Sequence, residues 1–172
     1  MKIYLLGFMG SGKSFIGKRL AKKLDMDFID LDHYIEQMEG LTISQLFENK
    51  SEKGFRQIEK KYLQSLSPKE NTIIACGGGT PCFYNNMKWM NENGLTIYLK
   101  SSNRLLFHRL KQGKSKRPLL KNLSDNGLKE FIKMKMEERA SQYEEAEIVV
   151  YRRMGDEGYL EKLTLLSKKF FN

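Results

Sequence analysis

A chain of 172 residues with 40% hydrophobic and 11% aromatic residues suits one domain with a core of its own. Its longest apolar runs, four residues at Ile3 to Leu6 and Ile148 to Tyr151, fall far short of the ~18 that a membrane span requires. Three prolines, 14 glycines and two cysteines exclude collagen-like, disordered and disulfide-framework classes, and the net charge of +9 raises the question of an anionic partner.

That charge sits in one stretch. Between Glu92 and Asp125 there is no acidic residue, while Lys100, Arg104, Arg109, Lys111, Lys114, Lys116, Arg117 and Lys121 all fall there. Without these eight, 22 basic residues face 21 acidic ones. A basic loop of this kind serves a polyphosphate as well as an RNA, so composition leaves both open. The cysteines, Cys76 and Cys82, suit a reducing cytoplasm.

In chain order, Lys2 to Phe8 predicts a buried strand, Gly7 to Gly12 a loop and Lys13 to Leu24 a helix. On that helix Ile16, Leu20 and Leu24 form an apolar stripe opposite Lys18, Arg19, Lys22 and Lys23. Asp27 to Asp30 reads as a second strand, followed by helical stretches over Asp32 to Glu39 and Thr42 to Leu66. Thr72 to Cys76 reads as a third strand, Cys82 to Asn93 as a helix, Leu95 to Lys100 as a fourth strand and Asn103 to Lys111 as a helix. The basic loop, Gln112 to Ser124, precedes a helix over Asp125 to Tyr143, a fifth strand over Glu147 to Tyr151 and an amphipathic helix over Tyr159 to Phe171. Strands alternating with helices predict an α/β fold, a parallel sheet covered on both faces. With no repeat, low-complexity tract or linker, residues 1–172 read as a single domain.

Gly7-Phe8-Met9-Gly10-Ser11-Gly12-Lys13-Ser14 satisfies the phosphate-loop pattern between a strand and a helix. There the glycines let backbone amides turn toward phosphate oxygens, Lys13 reaches the β- and γ-phosphates, and the Ser14 hydroxyl takes a Mg²⁺ position. The third strand offers no acid for the metal, which leaves Asp30 and Asp32 at the end of the second. Positions i and i+2 of a strand share a face, so one carboxylate could hold Mg²⁺ through water while the other accepts a hydrogen bond or proton from a substrate hydroxyl. Asp32 could equally cap the helix that begins there. Gly77-Gly78-Gly79 suits close backbone approach to a ligand at the carboxyl end of the sheet. Arg56 and Arg139 are candidate guanidinium forks for an anionic acceptor, though helical arginines are more often solvated. Arg117, stiffened by Pro118, could close over a transferred phosphoryl group.

Together the phosphate loop, Asp30-x-Asp32, Phe55-Arg56-x-x-Glu59, Gly77-Gly78-Gly79, Arg117-Pro118-Leu119-Leu120 and Arg139-x-x-x-Tyr143 resemble the shikimate kinase family in order and interval. The resemblance implies a three-layer P-loop kinase fold, with five parallel strands ordered 2-3-1-4-5 and a mobile lid at about residues 112–124. It implies transfer of the γ-phosphoryl of ATP to the 3-hydroxyl of shikimate, in chorismate and aromatic amino-acid synthesis. Carried over by position, Gly10, Ser11, Gly12, Lys13, Ser14 and Phe15 would hold ATP, with Arg117 as the lid arginine. One Mg²⁺ would bind Ser14 and, through water, Asp30. Asp32, Arg56, Gly78 and Arg139 would hold shikimate, and Lys13, Asp32 and Arg117 would carry catalysis. Small-molecule partners only, a monomer, and a cytoplasmic enzyme bound to neither nucleic acid nor membrane complete the expectation.

Phe15 stands where the family often has threonine, and Ser141-Gln142 replaces a frequent proline-containing pair before Tyr143. The adenine-side segment Tyr151 to Gly155 matches poorly. Gluconate kinase, of the same fold, and an RNA-binding nucleotide switch are the rival readings.

Overall fold

Lys2–Leu6 (β1) is buried at every position, as a strand must be when both faces of its sheet are covered. Ile3 and Leu5 point to one layer of helices, and Tyr4 and Leu6 to the other. The computed structural model describes residues 1–114, 119–152 and 158–171.

The elements follow as Lys13–Leu24 (α1), Asp27–Asp30 (β2), Leu31–Glu39 (α2), Ile43–Ser65 (α3), Thr72–Ala75 (β3), a 3₁₀ turn over Thr80–Cys82, Asn86–Asn93 (α4), Leu95–Ser101 (β4), Asn103–Gln112 (α5), Asp125–Glu144 (α6), Ile148–Arg152 (β5) and Tyr159–Phe171 (α7). The sheet is parallel in the order β2-β3-β1-β4-β5. Helices α1 and α7 pack on one face with Ile16, Leu20, Tyr159 and Leu163. On the other face lie Leu31, Ile35, Leu46, Phe55, Tyr62, Met87 and Tyr143, from α2, α3, α4 and α6. Helix α1 lies so close to the sheet that a Cβ on Gly17 would stand 2.4 Å from the Phe28 ring and 3.0 Å from Leu5. Among the described residues no helix is long and apolar enough to cross a membrane.

Two helical expectations change. The stretch read as one helix from Thr42 starts where a capping box between Thr42 and Gln45 sets it, but breaks at Ser51 (φ 59°, ψ 170°). The stretch read as a helix from Cys82 is a 3₁₀ turn containing Pro81, then Phe83 in extended conformation, and only then α4. Tyr84 and Asn85 take left-handed conformations (φ 52° and 58°) that no helix accommodates. Both breaks serve the cleft, because they carry Phe47 and Phe83 to the same arginine.

Candidate active site

Past β1 the chain turns through Gly7 (φ 137°), Gly10 (φ 81°) and Gly12 (φ 93°) into α1. At Gly7 a side chain would also strike the Leu99 carbonyl and Ser11 Oγ, each at 3.0 Å. Such a loop, running straight into a helix N-terminus, turns successive amides toward one anion. Ser11 is buried beneath the loop and donates its own N–H to the Phe8 carbonyl (3.1 Å), so it shapes the turn. Lys13 Nζ lies across the loop, donating to Gly7 O (2.7 Å) and Phe8 O (3.1 Å). The exposed Phe15 ring carries the Arg19 guanidinium 4.1 Å from its centroid. A cavity of about 380 Å³ opens above, lined by Gly10, Gly12, Lys13, Ser14, Phe15, Asp30, Asp32 and Gly78.

Asp30 ends β2 and caps α2 by accepting from the His33 N–H. The alternative that Asp32 caps this helix is therefore corrected: the cap is Asp30, two residues earlier, and Asp32, in the first turn of α2, faces the cleft. The two acids meet there because a strand ends and a helix begins, rather than through strand alternation. Ser14 Oγ donates to an Asp30 carboxylate oxygen, which sets two hard oxygen donors side by side at the foot of the loop, a set that suits Mg²⁺. Among the described residues no cluster of three or more His, Cys, Asp and Glu side chains would hold a metal alone.

A second cavity, about 390 Å³, is lined by Met9, Asp32, Glu36, Phe47, Phe55, Arg56, Glu59, Gly77, Gly78, Gly79, Leu119 and Arg139. Met9, Asp32 and Gly78 line both cavities, so the two open onto each other at a carboxylate.

Arg56 is a buried residue and not the solvated helical arginine that its spacing alone suggests. Nη1 donates to Glu59 Oε2 at 2.8 Å and Nη2 to Glu52 Oε1 at 3.3 Å. Phe83, Phe55 and Phe47 surround the guanidinium with ring centroids at 4.5, 5.2 and 5.5 Å. Glu59, itself buried, also accepts from Thr80 Oγ1 at 2.5 Å. Each cleft glycine answers to this packing. A Cβ on Gly79 would stand 2.5–2.6 Å from the Arg56 guanidinium, and one on Gly77 would stand 2.8 Å from carboxylate oxygens of both Asp32 and Glu59. At Gly78 the nearest atom would be the Met9 amide, at 3.3 Å.

Arg139 reaches the same floor: Nη1 donates to the Gly78 carbonyl at 3.2 Å, and the guanidinium lies 5.7 Å from the Phe8 ring. Tyr143 OH donates to the same carbonyl. Helix α6 runs unbroken through Ser141 and Gln142, and Tyr143 anchors the turn that carries Arg139. Sequence reasoning missed three contributors. Glu59 and Tyr143 were noted only as motif members, and Arg109 only as part of the basic stretch, yet its Nη1 donates to both Gly10 O and Ser11 O at 3.1 Å. Arg117 and residues 153–155 of the adenine-side segment lie outside the described residues.

Burial, with the Glu59 and Asp30 carboxylates nearby, raises the Asp32 carboxyl to about 6 against the pull of Lys13 and Arg56. The folded state thus holds a proton that the unfolded chain gives up near pH 4. Stability is fully present below that range and is lost as pH rises through about 6, by roughly 2–3 kcal/mol. A carboxyl-carbon NMR titration of metal-free, nucleotide-free protein should place the Asp32 midpoint near 6, and Lys13→Ala should move it higher. A midpoint near 4 would show that water screens the acid. Burial raises the Cys76 and Cys82 thiols, which makes them packing groups rather than nucleophiles at neutral pH.

The family model described as shikimate kinase matches residues 9–162. Shikimate kinase of Bacteroides thetaiotaomicron is 42% identical over 149 residues, 87% of this chain and 85% of the relative. A crystal structure of shikimate kinase from that organism superposes with a TM-score of 0.92 at 38% identity, covering 99% of this chain and 98% of the other. Shikimate kinase from Acinetobacter baumannii, solved in complex with shikimate, superposes with a TM-score of 0.85 at 30% identity, covering 99% and 92%.

Proposed function

The chain belongs to the shikimate kinase family, and from that premise we propose that its two joined cavities bring the γ-phosphoryl of ATP to the 3-hydroxyl of shikimate. The products are shikimate 3-phosphate and ADP, on the route to chorismate and the aromatic amino acids. The observation that carries this reading is the junction itself: Asp32 and Gly78 line both the phosphate-loop cavity and the arginine-lined one.

ATP phosphates bind along Gly10 to Phe15. Lys13 exchanges its loop carbonyls for β- and γ-phosphate oxygens as charge develops on them. Arg56 and Arg139 take the acceptor's carboxylate, and the Gly78 backbone approaches its ring. Asp32 accepts a hydrogen bond from the reacting hydroxyl and is placed to take its proton, the role that a pKa near 6 fits at neutral pH. Arg117 is assigned the closing arginine over the phosphates on its sequence position alone. Ser14 and Asp30 would hold one Mg²⁺, which when bound supplies positive charge to the phosphates. In the other direction, Lys111 pairs with Asp125, Lys100 with Glu144, and Arg109 with loop carbonyls. Three of the eight basic residues are thus engaged within the chain, which favours a small-molecule site over an RNA surface. A monomer is proposed on the family resemblance alone, and two free cysteines suit the cytoplasm.

The test is ADP release with Mg²⁺·ATP and either shikimate or gluconate. Shikimate should drive turnover and gluconate should not. Gluconate-driven release would transfer the site to the neighbouring sugar-acid kinases, and steeply salt-dependent RNA binding with no acceptor-dependent turnover would favour the nucleotide switch.

A further inference from the structure

The Arg56 guanidinium is packed closely: the Phe83 ring centroid lies 4.5 Å from its carbon, and the backbone of Gly79 leaves no room for even a Cβ against Nη1, Nη2 and Cζ. A carboxylate meets a guanidinium in its plane, through parallel N–H donors. One edge is fixed: Glu59, 1% exposed in its side chain, holds Nη1 at 2.8 Å and is itself held by Thr80. Nε is buried with no partner among the described residues. The remaining edge, Nη2, is taken by Glu52, whose side chain is 61% exposed and reaches in at 3.3 Å.

Glu52 and Glu59 are thus unequal partners. Glu59 is buried and twice bonded, and its loss would strand a buried charge. Glu52 makes a long single contact from solvent, the kind of pair worth little. It is also the first residue after the Ser51 break, where φ 59° and ψ 170° mark a backbone well that non-glycine residues rarely occupy. The end of this helical half is the place where a side chain can swing away without disturbing the buried turn that carries Phe55, Arg56 and Glu59.

We propose that Glu52 is an internal competitor for the acceptor: its carboxylate and the acceptor's carboxylate contend for the same Nη2 edge of Arg56, so an acceptor must bring a carboxylate of its own to displace it. The inference rests on the function proposed above and adds a selectivity device to that site. Uncharged analogues meet an arginine already paired, while an anionic ring brings a carboxylate that accepts charge-assisted bonds from Nη2 in place of one long contact.

The experiment compares wild type, Glu52→Gln and Glu52→Ala by steady-state kinetics, with shikimate and its methyl ester as acceptors and thermal melting as the folding control. Both variants should lower the KM for shikimate about two- to fivefold, the range an exposed ion pair covers, with kcat unchanged. Turnover of the methyl ester, which meets a guanidinium occupied by Glu52 in the wild type, should also rise in kcat/KM, by at least the factor seen for shikimate. A shikimate KM that stays the same or rises in both variants overturns the proposal, since Glu52 would then be idle or would orient Arg56. An ester whose kcat/KM stays at its wild-type value overturns it as well, because Glu52 would then not be what bars an uncharged acceptor. The wild-type arm separates this from the underlying function: no shikimate-dependent turnover there overturns both, whereas normal wild-type turnover with unmoved variants overturns the competitor alone.

Discussion

Lys13→Ala should lower kcat by about 10²–10³-fold, the loss seen when one preorganised group that stabilises developing charge is removed, while unfolding free energy changes by about 1 kcal/mol or less. In the folded chain the ammonium group bonds the carbonyls of Gly7 and Phe8, an arrangement of ordinary strength at the edge of a loop whose shape is set by glycine dihedrals and by Ser11. In the proposed function its larger worth lies in transfer, when charge spreads over the phosphoryl oxygens and Lys13, the metal and a closing arginine would meet it. Single-turnover kinetics alongside denaturant unfolding separate the two effects. Near-normal turnover would remove Lys13 from the chemistry, and a parallel collapse of stability would reassign it to the fold.

The second large effect is expected at Arg56, and the substitution has to be chosen with its surroundings in mind. Arg56→Ala would leave Glu59 buried and unpaired, a defect costing about 3–5 kcal/mol, and would empty a collar of three phenylalanine rings. A misfolded variant would say nothing about the acceptor. Arg56→Lys keeps the charge beside Glu59 and loses the fork. Shikimate KM should rise by about 10- to 100-fold, as when a hydrogen bond between charged groups is lost, while the KM for ATP stays close to wild type. Equal increases for both substrates would mean that the arginine supports the whole cleft rather than the acceptor side. The two variants thus divide the cleft, one acting on transfer and the other on acceptor capture.

How legible the site is depends on how local its causes are. The phosphate loop declares itself because strand, glycines, Lys13 and Ser14 are contiguous, and their geometry is dictated within eight residues. The alternation of strands and helices likewise predicts a parallel sheet, although the order β2-β3-β1-β4-β5 comes from resemblance rather than from periodicity. Arg56 is different. Spacing reads it as a solvated helical residue, and its burial arises from Phe83 and Gly79 on the far side of β3, more than twenty residues away, and from a helix break at Ser51 that the sequence marks only by Gly54, three residues on. Gly77, Gly78 and Gly79 look like one feature in the sequence, yet they answer to different neighbours: the carboxylates of Asp32 and Glu59, the Met9 amide, and the Arg56 guanidinium. Tyr143 and Arg109 went unassigned because their contacts, with the Gly78 carbonyl and with the carbonyls of Gly10 and Ser11, cross 65 and about 100 residues of chain. Pattern reading finds chemistry that a local segment completes, and it misses chemistry that several segments assemble.

The expected pKa of Asp32 belongs to the same logic. A carboxylate beside two others, packed under Gly77 at a helix start, is costly to ionise. In the proposed function that cost has a use, because an acid so tuned can take the proton of an acceptor hydroxyl at neutral pH.

The most direct test is to supply ATP labelled in its γ-phosphate together with shikimate and Mg²⁺, and to follow where the label goes. The account predicts that it appears on the 3-oxygen of shikimate, one for each ADP formed, and that neither accumulates when shikimate is left out. Label released as inorganic phosphate at the same rate with or without the acceptor would contradict it.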